Sequence, residues 1–546
     1  MKRIILSLTV LVLISLACGQ TAQLPASSPS PSPSSTPTTP APLANPDFTI
    51  AIEYGILGVA DFYIPTGVKY AKLQDAFAIW GNIEPEPGVY TWEPLDALVL
   101  EYQQAGFTGL QMNLAALSPW AASKPPALGD QGDTFPKPEY LDDYAAFVTA
   151  TVERYDSDGV EDMPGLLFPV REYGIEREFT GFWPGSAEEY VRLLRIAYPA
   201  VKSADPQANV LLVALLMTDI FDGAPDTTEL NRRLATPVDY MRKSVPEIQT
   251  ILAACDAYDM VDFHSLGNYT EIPPTTTWIR AQLQQNGCGE KPIWIGDAFP
   301  MSGLVGFGGF VPPTPFSPVT LATRDDMVAL LTDMADPGTP GYPAARDWIY
   351  SETAIGLVRK LVVSAGEGLR GINIGNLEDW KTSLAGVDKL AVPMLGASMF
   401  MGLTNTDITN QKPGGELPFD GKEWSQSRRA SDPRPAFYSL GLVINKIAQF
   451  SSVTRVDLGP DVWAYEFETP NGLVWVLWYD DGQLHLPGDD TPSQSVSLPL
   501  PAGFAHLTRT PTQFGQSQLE VQDLTVPLTM LDITLIASPV FIEVAP

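Results

Sequence analysis

Two carboxylates spaced for acid–base work stand at Glu176 and Glu178, within Val170-Arg-Glu-Tyr-Gly-Ile-Glu-Arg-Glu178. An apolar run from Leu166 leads into them, and the aromatic pair Phe182 and Trp183 follows. Residues two apart on a strand share a face, so both carboxylates can be delivered to one place. A carboxyl group offers a proton, and an indole offers a flat face on which a sugar ring can rest. Sugar cleavage needs both. The alternative is that the two glutamates simply face solvent on an acidic protein.

Something must hold those side chains. From Asp47 to about Pro433, short apolar runs alternate with segments of helical spacing, such as Leu95, Leu98, Val99 and Tyr102, or Tyr190, Leu193, Leu194 and Ala197. Strands are predicted over 48–54, 76–80, 109–114, 166–175, 210–217, 260–264, 292–296 and 371–375. Eight strands with helices between them predict a (β/α)8 barrel, whose chemistry belongs at the C-terminal ends of its strands. The largest insert, 301–343, is rich in Gly, Pro and Phe and reads as a loop without a clear helix or strand, placed after the seventh strand over the active face. It could shape a cleft, or fill it. After residue 434 the pattern changes to a helix over 436–450 and then alternating strands, such as Val462-Trp-Ala-Tyr-Glu-Phe467 and Leu473-Val-Trp-Val-Leu-Trp478. These predict a C-terminal β-sandwich. The domain reading is therefore 47–433 for the barrel and 434–546 for the sandwich.

The N-terminal segment reads differently. Met1-Lys-Arg, an apolar run over 4–16 and then Ala17-Cys18-Gly19 make a secretory signal too short to span a bilayer. A cysteine directly after Ala17 resembles a bacterial lipoprotein signal over 1–18, in which Cys18 would carry the lipid. Plain secretion with cleavage near Ala17 is the alternative. Residues 19–46, almost wholly Pro, Ser, Thr and Ala, form an extended spacer. The expected location is extracytoplasmic, at a membrane surface through Cys18, or secreted. With 64 acidic against 33 basic residues, the net charge of −31 argues against nucleic acid as a partner. At 546 residues and 45% hydrophobic content the chain can bury a large core.

Cys255 and Cys288 each lie shortly before a predicted strand. If those strands are neighbours, an oxidising compartment would permit a bridge, although spacing alone does not fix the pairing. Asp156-Ser-Asp-Gly-Val-Glu-Asp162 has oxygen ligands at alternate positions like a small calcium loop, but lacks the full twelve-residue pattern. A solvated turn is the preferred reading. No zinc, nucleotide or Ser-His-Asp arrangement stands out, so neither a metal nor a cofactor is expected.

Several motifs together are specific. Trp80-Gly-Asn-Ile-Glu-Pro-Glu-Pro-Gly-Val-Tyr-Thr-Trp92, Leu117-Ser-Pro-Trp120, Arg154-Tyr-Asp-Ser-Asp-Gly-Val-Glu-Asp-Met-Pro-Gly165 and Lys291-Pro-Ile-Trp-Ile295 resemble glycoside hydrolases of clan A, in their cellulase-like and β-xylosidase-like members. The resemblance extends over nearly the whole chain after the spacer, and it implies a carbohydrate substrate and a pair of catalytic carboxylates. It implies Glu178, ending the fourth strand, as proton donor. Asp297, ending the seventh, is implied as nucleophile or water-activating base. Glu176 could take the acid role if the strand end is displaced.

Two positions depart from the family pattern. Arg177 stands where the family has Asn, and Asp297 stands where it has Glu. An arginine accepts no hydrogen bond and lowers the pKa of a neighbouring carboxyl, which is wrong for a general acid. It could instead clamp the carboxylate of an acidic sugar. Aspartate withdraws its carboxyl by up to about 1.5 Å, which points toward inversion or toward lost catalysis. His264 matches a family position that contacts the site, or is a packed structural histidine. Trp80, Trp120, Trp183, Tyr269 and Trp380 fall near strand ends and could wall a sugar subsite or pack in the core. A non-catalytic carbohydrate-binding protein with a degenerate barrel is the rival reading. A structural surface protein with a closed cleft is a third.

Overall fold

The computed structural model describes residues 43–44, 47–123, 135–223, 225–236, 243–306, 321–381, 384–408, 428–526 and 529–544. Cys18, the signal reading and most of the spacer lie outside the described residues.

Eight parallel strands close into a barrel: β1 (Thr49–Gly55), β2 (Tyr70–Leu73), β3 (Gly109–Leu114), β4 (Glu172–Ile175), β5 (Asn209–Leu216), β6 (Met260–Ser265), β7 (Ile293–Ala298) and β8 (Gly371–Ile374). Each pairs with the next and β8 returns to β1. Helices cover the outside, so the strands are buried on both faces. That is why β5, Asn-Val-Leu-Leu-Val-Ala-Leu-Leu, reads as a continuous apolar run.

The structure corrects the expected elements at three places. The second strand is Tyr70–Leu73; 76–80 lies in a 3-10 helix, Asp75–Ala78, and the start of a short helix, Trp80–Ile83. The fourth strand begins only at Glu172, and Leu167 and Phe168 before it are exposed. The insert after β7 contains a 14-residue helix, Leu321–Met334. That helix packs Met327, Leu331 and Met334 against Trp348, Ile349 and Met399. Residues 307–320 of the insert lie outside the described residues.

The helix Ala187–Ala204 fixes the exit of β4. Ser186 and Glu189 form a reciprocal capping box at its start. Tyr190 Oη lies 2.8 Å from the carbonyls of both Ile175 and Val213, joining the helix to the ends of β4 and β5. At the other end of the barrel, Cys255 and Cys288 are disulfide-bonded, stapling the approaches to β6 and β7.

The C-terminal part is a β-sandwich. Its larger antiparallel sheet runs in the order 43–44, 452–455, 462–469, 472–479, 540–544, 503–509 and 521–526. The ribbon of Gln494–Pro499 and Met530–Leu535 covers one face through Val496, Leu498, Leu531 and Leu535. Strand alternation turns Val474, Val476 and Trp478 to the opposite face, where they join the barrel's own core. Tyr269 and Arg359 complete that seam. Tyr269 packs edge-on to Trp463 and Trp478, and Arg359 pairs with Asp480 at 3.0 Å. Among the described residues no helix is long and apolar enough to cross a membrane.

Candidate active site

The C-terminal mouth of the barrel gathers charge from five strands. Glu178 follows β4 in an extended conformation and its carbonyl accepts the Phe182 N–H of the short helix Phe179–Phe182. Thr180 ties that helix to β5: its Oγ1 accepts the Leu216 N–H at 2.8 Å and donates to the Ala214 carbonyl at 3.3 Å. Glu178 is thereby held inward, and its Oε2 lies 2.6 Å from His264 Nδ1, with both residues buried. His264 on β6 is the strand partner of Asp297 on β7. One histidine thus links the two carboxylates, one by strand pairing and the other by its imidazole.

Beneath them lies a buried ionic floor. Lys72 Nζ on β2 donates to Glu53 Oε1 on β1 at 2.9 Å and to the Gly296 carbonyl on β7 at 3.2 Å. Asp262 Oδ1 on β6 accepts the Gly296 N–H at 2.8 Å. Gly296 permits this approach, since a Cβ there would stand 2.1 Å from Asp262 Oδ2. Burial disfavours the Lys72 cation, but Glu53, Asp75, Asp262 and Asp297 outweigh burial and hold the amine above its ordinary pKa.

These environments set protonation. Burial alone would lower His264, yet its hydrogen bond and charge contact with Glu178, together with Asp297 and Asp262, raise it to about 9. Burial raises Asp262 to about 6, against the pull of His264 and Lys72. Asp297 is also raised by burial, with His264 and Lys72 opposing and Glu178 reinforcing. Asp297 makes no hydrogen bond among the described residues. Tyr54 closes this corner. Burial and the surrounding Asp297, Glu53, Asp75 and Glu178 hold its phenol neutral, well above the ordinary tyrosine range. Trp380 packs edge-on to Tyr54 at 6.3 Å and to Phe299 at 5.7 Å, with part of its surface open.

The expected site residues separate into two groups. Glu178, His264, Asp297 and Trp380 reach the mouth; Arg177, the chain neighbour of Glu178, is buried at 6% exposure. Glu176 does not join them. Strand alternation ends at Ile175, Glu176 adopts φ +69°, and its Oε1 accepts the Ala116 N–H at 2.8 Å. It clasps the ends of β3 and β4 together, fully buried.

Three of the proposed sugar platforms are core residues. Trp80 is fully buried, bonded through Nε1 to Glu84 Oε2 and stacked on Phe147. Trp183 is fully buried against Tyr190, its Nε1 donating to the Ser186 carbonyl. Tyr269 belongs to the seam with the sandwich. Each is an aromatic whose polar atom has found a fixed partner inside, which is how large aromatics fill cores. Trp120 is intermediate: it packs edge-on to Trp80 and Tyr140 but remains partly exposed.

Glu53, Tyr54, Lys72 and Asp262 were not anticipated. The available signal was a charged residue inside an otherwise apolar barrel strand, as in Thr-Ile-Ala-Ile-Glu-Tyr-Gly or Met-Val-Asp-Phe-His-Ser. The turn at 156–162 closes on itself: Asp156, Asp158 and Asp162 accept N–H groups of their own loop. Glu153, Asp156 and Asp158 bring their carboxylates within 4.8 Å of one another there. A cavity of about 620 Å³ lies at the opposite end of the barrel, lined by Lys69, Tyr70, Arg370, Asn445 and Asn471, and none of the mouth carboxylates reaches it.

No family model matches the chain, and no curated protein matches it in sequence. Solved structures do match in fold. A family 39 glycoside hydrolase from the gut symbiont Bacteroides cellulosilyticus WH2 superposes with a TM-score of 0.54 at 12% identity, covering 92% of this chain and 81% of that one. A monomeric β-xylosidase from Caulobacter crescentus CB15 gives 0.52 at 15% identity, covering 93% and 98%. A glucosidase from Croceicoccus marinus gives 0.51 at 11%, covering 92% and 97%. Identities this low establish the fold, a closed eight-stranded barrel with a trailing β-sandwich, which is the fold that the sequence resemblance implies.

Proposed function

We propose that this chain is a glycoside hydrolase acting on a β-linked oligo- or polysaccharide, with Glu178 and Asp297 as its working carboxylates. The observation that carries this reading is Asp297: a buried carboxylate at a strand's C-terminal end, without a hydrogen bond among the described residues, paired across strands with the histidine that holds Glu178. A largely buried carboxylate that no protein donor holds is costly. Such groups in a mouth lined by other perturbed carboxyls are the usual signature of chemistry. Trp380 and Tyr54 supply the aromatic wall a sugar needs. The fold shared with xylosidase and glucosidase structures supports carbohydrate as the substrate class. We further propose a lipid on Cys18 and an extracytoplasmic site of action, on the strength of the signal-like N-terminus.

The test is a screen of neutral and uronic-acid aryl glycosides with the intact protein, Glu178→Gln and Asp297→Asn. Turnover lost by more than about 10²-fold in both variants supports the reading; turnover that persists in both sinks it. Preference for uronic acids would give Arg177 its role as a carboxylate clamp. A second reading, a carbohydrate-binding protein without turnover, is favoured by the close pairing of Glu178 with His264. It predicts sugar binding by calorimetry with no product from any glycoside.

A further inference from the structure

Glu178 and Asp297 share a site but not an environment. Glu178 Oε2 faces His264 Nδ1 at 2.6 Å, while its Oε1 makes no hydrogen bond among the described residues. Asp297 makes none with either oxygen. The buried amines of Lys72 and Lys360 also act on this cluster, Lys360 donating to the Ser265 carbonyl next to His264; the acids facing the imidazole are Glu178 after β4, Asp262 on its own strand and Asp297 on β7. They keep the proton on the ring, and a carboxylate opposite an imidazolium N–H is its acceptor. That contact orients Glu178 and leaves one of its oxygens spare. Asp297 sits where burial favours the neutral acid, opposed by His264 and Lys72. One carboxyl is anchored by an imidazole and the other is pushed by burial toward the neutral acid, and such a difference in surroundings assigns acid and base.

We propose, resting on the glycosidase reading above, that the duties are exchanged relative to the positions the resemblance implies: Asp297 is the proton donor, and Glu178, anchored by His264, is the nucleophile or base. Both departures from the family pattern then make sense. Arginine as the chain neighbour of Glu178 departs from what a general acid needs and is compatible with a nucleophile or base there. Shortening the β7 side chain withdraws a group that no longer has to bond to the anomeric carbon.

The step balances in either stereochemical form. Asp297 gives its proton to the glycosidic oxygen as the bond from that oxygen to C1 breaks. In the retaining form Glu178 Oε1 bonds to C1; water then attacks C1, returns a proton to Asp297 and frees Glu178. In the inverting form water attacks C1 directly and passes its proton to Glu178, and solvent exchange resets both groups. His264 touches no reacting atom in either form. It is a positioning residue.

Leaving-group dependence separates the roles. With Asp297→Asn, kcat/KM should fall by about 10²-fold or more on a disaccharide or alkyl glycoside, whose leaving oxygen needs a proton. It should fall far less on a dinitrophenyl glycoside, whose leaving group does not. With Glu178→Gln it should fall alike on both. The opposite pattern, with Glu178→Gln spared on the dinitrophenyl substrate, overturns the exchange. A second measurement does not depend on turnover: imidazole NMR of His264, recognised among three histidines by its loss in His264→Gln. The ring should titrate near 9, and Glu178→Gln should shift it down by more than about one unit toward the ordinary 6.5. A ring that titrates at 6.5 or below in the intact protein overturns the inference whatever the kinetics. A ring near 9 in a protein that cleaves no glycoside overturns the hydrolase reading, and the exchanged roles fall with it.

Discussion

Replacing Lys72 by methionine tests whether the ionic floor is ionised and shared. The amine lies 2.9 Å from Glu53, and the two side chains are only 4% and 1% exposed, so solvent screens little of the pair. Methionine keeps the apolar stem and removes the charge. Glu53 then faces Asp75 and Asp297 with no counter-charge, and burial, already its largest influence, is unopposed. The least costly relief is for Glu53 to take up a proton. From an ordinary glutamate near 4.3, that uptake costs about 3.7 kcal/mol at pH 7 and about 1 kcal/mol at pH 5. The first figure falls in the range of about 3–5 kcal/mol known for breaking buried pairs. Burial already holds Glu53 well above the ordinary range in the intact protein, against the pull of Lys72, so these figures are upper bounds; removing the amine raises the group further, and the loss grows as pH rises above about 4.3. Urea unfolding followed by tryptophan fluorescence should therefore show Lys72→Met losing at most about 3–4 kcal/mol at pH 7 and about 1 kcal/mol at pH 5. Adding Glu53→Gln should recover most of the loss at pH 7. An equal loss at both pH values, or no recovery in the double variant, would refute the idea that this pair is ionised and that its charge is what matters.

Other perturbations follow from the same contacts. His264 is raised from 6.5 to about 9 in the folded state, so its contribution is fully present below about 6.5 and lost as pH rises through 9. Thermal unfolding should show a loss on the order of 3 kcal/mol over that window, and His264→Gln should flatten it. Gly296→Ala would drive a methyl into the Asp262 carboxylate, 2.1 Å away; a cost of about 1–3 kcal/mol is expected in denaturant titrations. Cys255→Ser opens a 33-residue loop and should cost about 3–4 kcal/mol in the same assay. Trp80→Ala should cost about 3–5 kcal/mol of stability, as for a large core aromatic. Trp380→Ala should cost less stability but weaken sugar binding measured by calorimetry.

The parts of the fold legible in the sequence were those specified by local apolar pattern. β3, β5, β6 and β7 are runs that nothing but a doubly covered strand explains. Glu178 is legible from the aromatic pair that follows it, while the role of Asp297 comes only from the resemblance of its strand to the family's seventh. The aromatic platforms were not separable in this way. Trp80 and Trp380 both lie near strand ends, yet one is sealed by Glu84 and Phe147 while the other keeps an open edge beside Tyr54. Nothing within a few residues of either tryptophan encodes that difference. Glu176 was misplaced because the alternation that would align it with Glu178 holds only inside a strand, and its backbone turns to φ +69° one residue past the end of β4.

The second strand shows why the rest stayed hidden. Tyr-Ala-Lys-Leu carries a lysine that argues against burial, while the more apolar 76–80 next to it invites a strand assignment. The lysine is tolerated inside the barrel because Glu53, nineteen residues earlier, stands on the neighbouring strand. Each residue alone looks misplaced, and together they form an ion pair. The same holds at the mouth, where Asp262 is acceptable because residue 296 is a glycine whose N–H it captures, and where His264 keeps its proton because three acids face it from three segments of chain. Buried charge is therefore where single-residue reasoning fails, because its compensation is non-local. Asp297 is the exception that gives this pattern its functional weight. It is the mouth carboxylate for which the described residues supply no hydrogen bond, in a barrel that has matched Glu53, Asp262 and Glu178 with a donor each. A carboxyl left without a protein partner at that one position is what a site needs if the partner is to arrive with the substrate.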